Sequence, residues 1–158
     1  MPSLRLTIPF VALLAASACA RPAEGADAAA RAAARSEYSV YDVGGAWRDQ
    51  TGATRSLASL GGRPRVVAMI YTHCAASCPI AVANMKRIEA ATSPDVGLVL
   101  VSIDPDRDTP GRLAEFAAHT GLSPERWTLL DGGDDGIRDL AATLGVRVRR
   151  LSPTELAH

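Results

Sequence analysis

The run Val66-Val67-Ala68-Met69-Ile70-Tyr71 leads almost at once into two cysteines and a proline, in Thr72-His73-Cys74-Ala75-Ala76-Ser77-Cys78-Pro79. A short apolar run rich in β-branched residues reads as a buried strand. Pro79 opens a helix, because its ring fixes φ at a helical value and the N–H it lacks would be unpaired in a first turn. The segment is therefore constrained to strand, turn and helix, with both thiols in the turn. Amides at a helix N-terminus favour thiolate over thiol, so such a turn serves redox chemistry or a soft metal ion. A structural disulfide, or two buried thiols acting as small hydrophobes, is the bland alternative. Three residues separate the cysteines, one more than in the common Cys-x-x-Cys redox motif.

Elements of alternating type surround this turn. Trp47 to Arg55 reads as a hairpin turning at Gln50 to Gly52, and Leu57 and Leu60 lead into a Gly61-Gly62 loop. Pro79 to Ala91 carries Ile80, Met85 and Ile88 on one face, with Lys86, Arg87 and Glu89 outside, as an amphipathic helix does. Val96 to Ile103 is continuously apolar and reads as a central strand. Thr109 caps a helix that starts at Pro110 and runs to about His119. Trp127 to Leu130 is a strand and Asp131 to Gly136 a turn. Ile137 to Leu144 is a helix stopped by Gly145, and Val146 to Val148 opens a further strand. Strands joined by helical crossovers imply an α/β domain with a mostly parallel sheet and helices on both faces. A thioredoxin-like fold is the architecture that places thiols after such a strand.

The 158 residues allow one domain. Seventeen basic and seventeen acidic residues cancel and are interspersed, which excludes the electrostatic footprint of nucleic-acid binding. Arg5, the apolar stretch Leu6 to Ala16 and the small residues Ala16-Ser17-Ala18 make residues 1–18 an export signal. The stretch is shorter than the roughly 20 apolar residues a spanning helix needs. Cleavage before Cys19 would leave it as the lipidated first residue of a lipoprotein, the favoured outcome; cleavage after Ala20 would release a soluble protein. An exported, periplasmic and membrane-tethered protein is expected. The Ala-rich stretch 19–37 would serve as its tether, and 38–158 as the folded domain.

Several other residues invite a chemical reading. His73 adjoins Cys74 and is assigned a supporting rather than a ligating role, because neighbouring positions point apart. His119 complements a helix C-terminus. Asp104, Asp106 and Asp108 alternate as hard-cation ligands would, yet a calcium loop needs more oxygens and a distal Glu, so loop hydrogen bonding and helix initiation are expected. Gly132-Gly133 is a turn and not a phosphate loop.

The stretches Tyr71-Thr-His-Cys74-x-x-x-Cys78-Pro79 and Leu100-Val-Ser-Ile-Asp-Pro-Asp-Arg-Asp-Thr-Pro110 together resemble the SCO/SenC family, copper-handling proteins of cytochrome c oxidase assembly. Trp127 with Leu129, and Leu140-Ala-x-x-Leu-Gly-Val146, extend the likeness from about Tyr38 to the end. The resemblance implies a metal site of Cys74, Cys78 and His158, with His73 and Asp104 in support and Asp104, Asp106 and Asp108 shaping the rim of the thiol site. Two thiolates and an imidazole suit Cu(I), and imidazole also suits Cu(II). It further implies a metallochaperone whose recipient is the copper site of cytochrome c oxidase subunit II or another periplasmic copper protein. The same cysteines would serve a thiol-disulfide oxidoreductase that readies acceptor thiols, with Cys74 attacking and Cys78 resolving. A truncated remnant that binds nothing is a third expectation. Many relatives carry a Pro-Asp-Val type insert where this chain has Ala75-Ala76-Ser77. Relatives also continue past the position of His158 with strands and a helix that complete the sheet, so those elements are expected to be missing here.

Overall fold

The structure is a computed structural model and describes residues 39–74, 77–152 and 155–157. The export signal, the tether, Cys19 and His158 lie outside the described residues. One sheet has the strand order β2-β1-β5-β4-β3, where β1 is Trp47–Asp49, β2 Thr54–Arg55, β3 Arg65–Ile70, β4 Gly97–Ser102 and β5 Trp127–Asp131. Helix α1 (Ser77–Ala91) links β3 to β4, α2 (Pro110–Thr120) links β4 to β5, and α3 (Gly133–Leu144) follows β5. Strands β3, β4 and β5 are parallel, with Val67 beside Val99 and Val99 beside Thr128. Antiparallel β1 adds to β5 with Arg48 opposite Asp131, and β2 closes the expected hairpin.

Strand β4 is buried at every position, as a continuous apolar run covered on both faces requires. On one face, Val67, Val99 and Val101 look toward Leu140 of α3 across a small apolar cavity of about 70 Å³. On the other, Trp127 donates its indole N–H to Glu89 of α1 at 2.8 Å. Arg126 staples that layer, donating to the carbonyls of Glu89, Ser93 and Val96 and to the Thr92 hydroxyl.

Four expectations need correction. The Val66 strand, expected to be buried, is only partly so: β3 is the edge strand, and of its residues only Met69 and Ile70 are buried. An apolar run does not say whether a strand has one neighbour or two. Helix α1 starts at Ser77, and its buried face is Cys78, Val82 and Met85, spaced at helical periodicity. Ile80 is left 64 % exposed. Helix α3 starts at Gly133 rather than Ile137, because Asp131 Oδ1 accepts the Gly133 N–H at 3.1 Å. Asp134 and Asp135 then occupy its first turn, where the helix dipole favours acids. Val146 to Val148 form no strand. Gly145, at φ +69°, ends α3, and the Val146 N–H bonds back to Ala141 at 2.8 Å, so this stretch is the helix exit. The next strand, β6 (Arg149–Ser152), pairs with β7 (Glu155–Ala157) in a separate two-stranded sheet.

Candidate metal and thiol site

Parallel neighbours β3 and β4 send their following loops out of the same edge of the sheet. The first loop carries Thr72, His73 and Cys74; the second runs from Ile103 to Thr109. A backbone bond from Cys74 to the Tyr71 carbonyl (3.3 Å) makes the first a tight turn. The Ile103 N–H bonds to the Ile70 carbonyl at 2.8 Å and carries the β3–β4 pairing into the loops.

The thiols meet at the start of α1. Cys74 is half-buried, and its Sγ accepts the backbone N–H of Cys78 at 3.3 Å, with Ser77 Oγ at 3.5 Å. The first amides of a helix have no partner within it, so this sulfur does the work of a capping side chain. Cys78 is 1 % exposed. Burial pushes its thiol up to about 12, and the neighbouring Cys74 adds to the rise, while bonds from the Tyr71 backbone and Ser77 act the other way. One thiol is therefore approachable and the other is held protonated in the protein interior.

Two buried aspartates of the second loop grip the first. Asp108 accepts three hydrogen bonds: from the Thr72 N–H at 3.0 Å, the Thr72 hydroxyl at 2.6 Å and the Ser102 hydroxyl at 2.6 Å. Asp104 Oδ2 accepts from Arg107 Nε at 2.5 Å and faces His73 Nε2 at 3.3 Å. The His73 ring also meets the Tyr71 ring edge-on, with centroids 4.9 Å apart. The structure thus brings Cys74 to Cys78, and it places His73 against Asp104, a pairing the sequence reading did not make. Asp106 is exposed, His119 lies in the last turn of α2, and Thr109 caps that helix. Among the described residues, no three His, Cys, Asp or Glu side chains cluster as a metal site would require. Likewise, no helix among them is long and apolar enough to cross a membrane.

The family model described as SCO1/SenC matches residues 35–157. The chain belongs to the SCO1/SenC family. Its matched stretch contains both thiols and both aspartates. A SCO1 protein homolog of Bacillus subtilis is 35 % identical over 89 residues, which cover 54 % of this chain and 46 % of that protein. A protein of Stutzerimonas stutzeri named for copper binding is 32 % identical over 111 residues, 68 % of this chain and 53 % of its own. The chain spans about half the length of these two relatives. Among solved structures, BsSco is 30 % identical with a TM-score of 0.61, over 75 % of this chain and 72 % of its own. BsSco is described as having a disulfide switch and as a member of the Sco family of cytochrome c oxidase assembly proteins. These likenesses show the thioredoxin-like Sco fold for this SCO1/SenC chain.

Sequence reasoning missed Thr72 and Ser102 as parts of the thiol site. Asp108 was expected to serve its own loop and, by the family pattern, the rim of the site, but not to hold Thr72. The available signal was topological: Ser102 pairs with Ile70 in adjacent parallel strands, so Thr72, two residues on, leaves the sheet at the same end.

Proposed function

We propose that this protein is an extracytoplasmic copper carrier that binds one copper ion through the Cys74 and Cys78 thiolates and the His158 imidazole. The observation that carries the reading is the thiol pair itself, one sulfur at a helix N-terminus and one buried, inside the stretch matched to the SCO1/SenC family. Soft thiolates with imidazole form a donor set suited to Cu(I). The relative named for copper binding supports the same cargo. Binding would displace the thiol protons, because thiolate is the form that ligates. Delivery would proceed by ligand exchange, acceptor thiolates replacing those of the donor, with the copper site of cytochrome c oxidase subunit II as recipient. Export and a lipid anchor on Cys19 would hold the domain at the membrane where that recipient matures. Anaerobic Cu(I) competition on the reduced protein tests the reading: tight one-to-one binding is expected, weakened by Cys74→Ser, Cys78→Ser and His158→Ala.

A second reading is favoured by the asymmetry of the pair. Approachable Cys74 would attack an acceptor disulfide to give a mixed disulfide. Cys78 would then resolve it, leaving a Cys74–Cys78 disulfide and two acceptor thiols. Exchange of this kind would survive His158→Ala, whereas tight copper binding would not.

A further inference from the structure

We propose that Asp108 and Thr72 are positioning residues that set the thiol pair in place, with the buried Asp108 carboxylate fixing, through Thr72, where the Cys74 sulfur meets the Cys78 amide. Its functional meaning rests on the copper-carrier reading above; its geometry does not.

The direction of every hydrogen bond in the cluster is fixed. Ser102 Oγ accepts the Asp104 N–H at 3.0 Å, so its own hydrogen goes to Asp108. Thr72 Oγ1 accepts from Arg112 Nε at 3.4 Å, so its hydrogen also goes to Asp108. The Thr72 N–H is the third donor. Three hydrogens therefore converge on one side chain that must accept on both oxygens, which a carboxylate does and an amide does not. Asparagine would turn an N–H₂ toward at least one of these donors. Asp108 itself is 0 % exposed, so no water replaces a lost bond there without opening the site.

From Thr72 the restraint passes along a short path. Thr72 sits inside the turn closed by the Cys74-to-Tyr71 backbone bond, two residues before Cys74. The next residue, His73, is held separately by Asp104 and the Tyr71 ring. With the turn so pinned, Cys74 Sγ lies at 3.3 Å from the Cys78 N–H. That amide belongs to the first turn of α1, where helix amides find no partner within the helix. Its protection from exchange therefore reports on the position of the Cys74 sulfur.

The test uses Asp108→Asn, Thr72→Val and the conservative Thr72→Ser, with Leu140→Ala as a control that weakens the core away from the loops. Two quantities are read on reduced protein: hydrogen exchange at the Cys78 amide relative to β4 amides, and Cu(I) affinity by competition. D108N and T72V are expected to speed relative Cys78 exchange and to lower Cu(I) affinity, each by about 10-fold or more, the range found when a partner that orients a ligand is removed. T72S should recover most of both. L140A should change overall stability and neither quantity. Folded T72V with parental Cys78 exchange and parental affinity would overturn the proposal, and T72V guards against D108N simply failing to fold. If the parent binds no copper tightly while Cys78 exchange still responds, the carrier reading fails and the positioning role stands.

Discussion

The raised Cys78 thiol makes a quantitative prediction about which cysteine reacts. Burial lifts it from the ordinary 9.0 to about 12. At pH 8 such a thiol is ionised to about one part in 10⁴, against about one in ten for an ordinary thiol, and the thiolate is the nucleophile. Reduced folded protein treated with iodoacetamide at pH 8 should therefore label Cys78 about 1000-fold more slowly than denatured protein does, on ionisation alone. Peptide mapping by mass spectrometry at timed quenches separates Cys74 and Cys78 in one experiment. In urea both should label alike. The same shift has a stability consequence of definite sign. Because the folded value is raised, the contribution is complete below pH 9.0 and is lost as pH climbs from 9.0 through about 12. The slope in that window is about 1.4 kcal/mol per pH unit. Equal labelling of Cys74 and Cys78 in the folded protein would refute the reasoning, since it would mean that the second thiol is neither buried nor held protonated.

Other parts of the fold yield their own tests. Arg126→Met removes the staple between the end of α1 and β4 and should cost about 1–3 kcal/mol in urea unfolding, because the part-buried carbonyls of Glu89 and Val96 lose a charged donor at once. Gly132→Ala drives a methyl into the Trp47 ring, itself fully buried, and should lower stability by about 1–3 kcal/mol with a matching drop in melting temperature. Burial would raise the Asp49 carboxyl, but hydrogen bonds from Thr51, Arg55 and Ala53 outweigh it and leave the value lowered. Its contribution is therefore complete above the ordinary 3.8 and is lost as pH falls below that through the folded value. Asp49→Asn should cost about 1–3 kcal/mol at pH 7 and progressively less as pH falls below 3.8, by urea unfolding across that range.

The element order was legible because each helix and strand carries its own periodicity and caps. Thr109-Pro110 marks the start of α2, Gly145 the end of α3, and the run from Val96 places β4. Lateral order was less legible, since β3 and β4 read alike as apolar runs although one is an edge and the other is central. The thiol turn could be read from Cys74, Cys78 and Pro79, but its phase could not. Pro79 marks the first turn of α1 without marking its first residue, so Ile80 was expected inside and lies outside. Supporting roles for His73 and Asp104 were expected from the family pattern, but not their contact. Nor was the Asp108 grip on Thr72, because it joins residues 36 apart through strand adjacency, which no local pattern encodes.

The most direct test of the copper-carrier proposal is an anaerobic Cu(I) competition titration of the reduced protein beside its H158A variant, with folding of both checked by circular dichroism. Tight one-to-one binding in the parent and clear weakening in the variant is the predicted result. A folded parent that binds no Cu(I) tightly, or an H158A protein that binds as tightly as the parent, would contradict the three-ligand site.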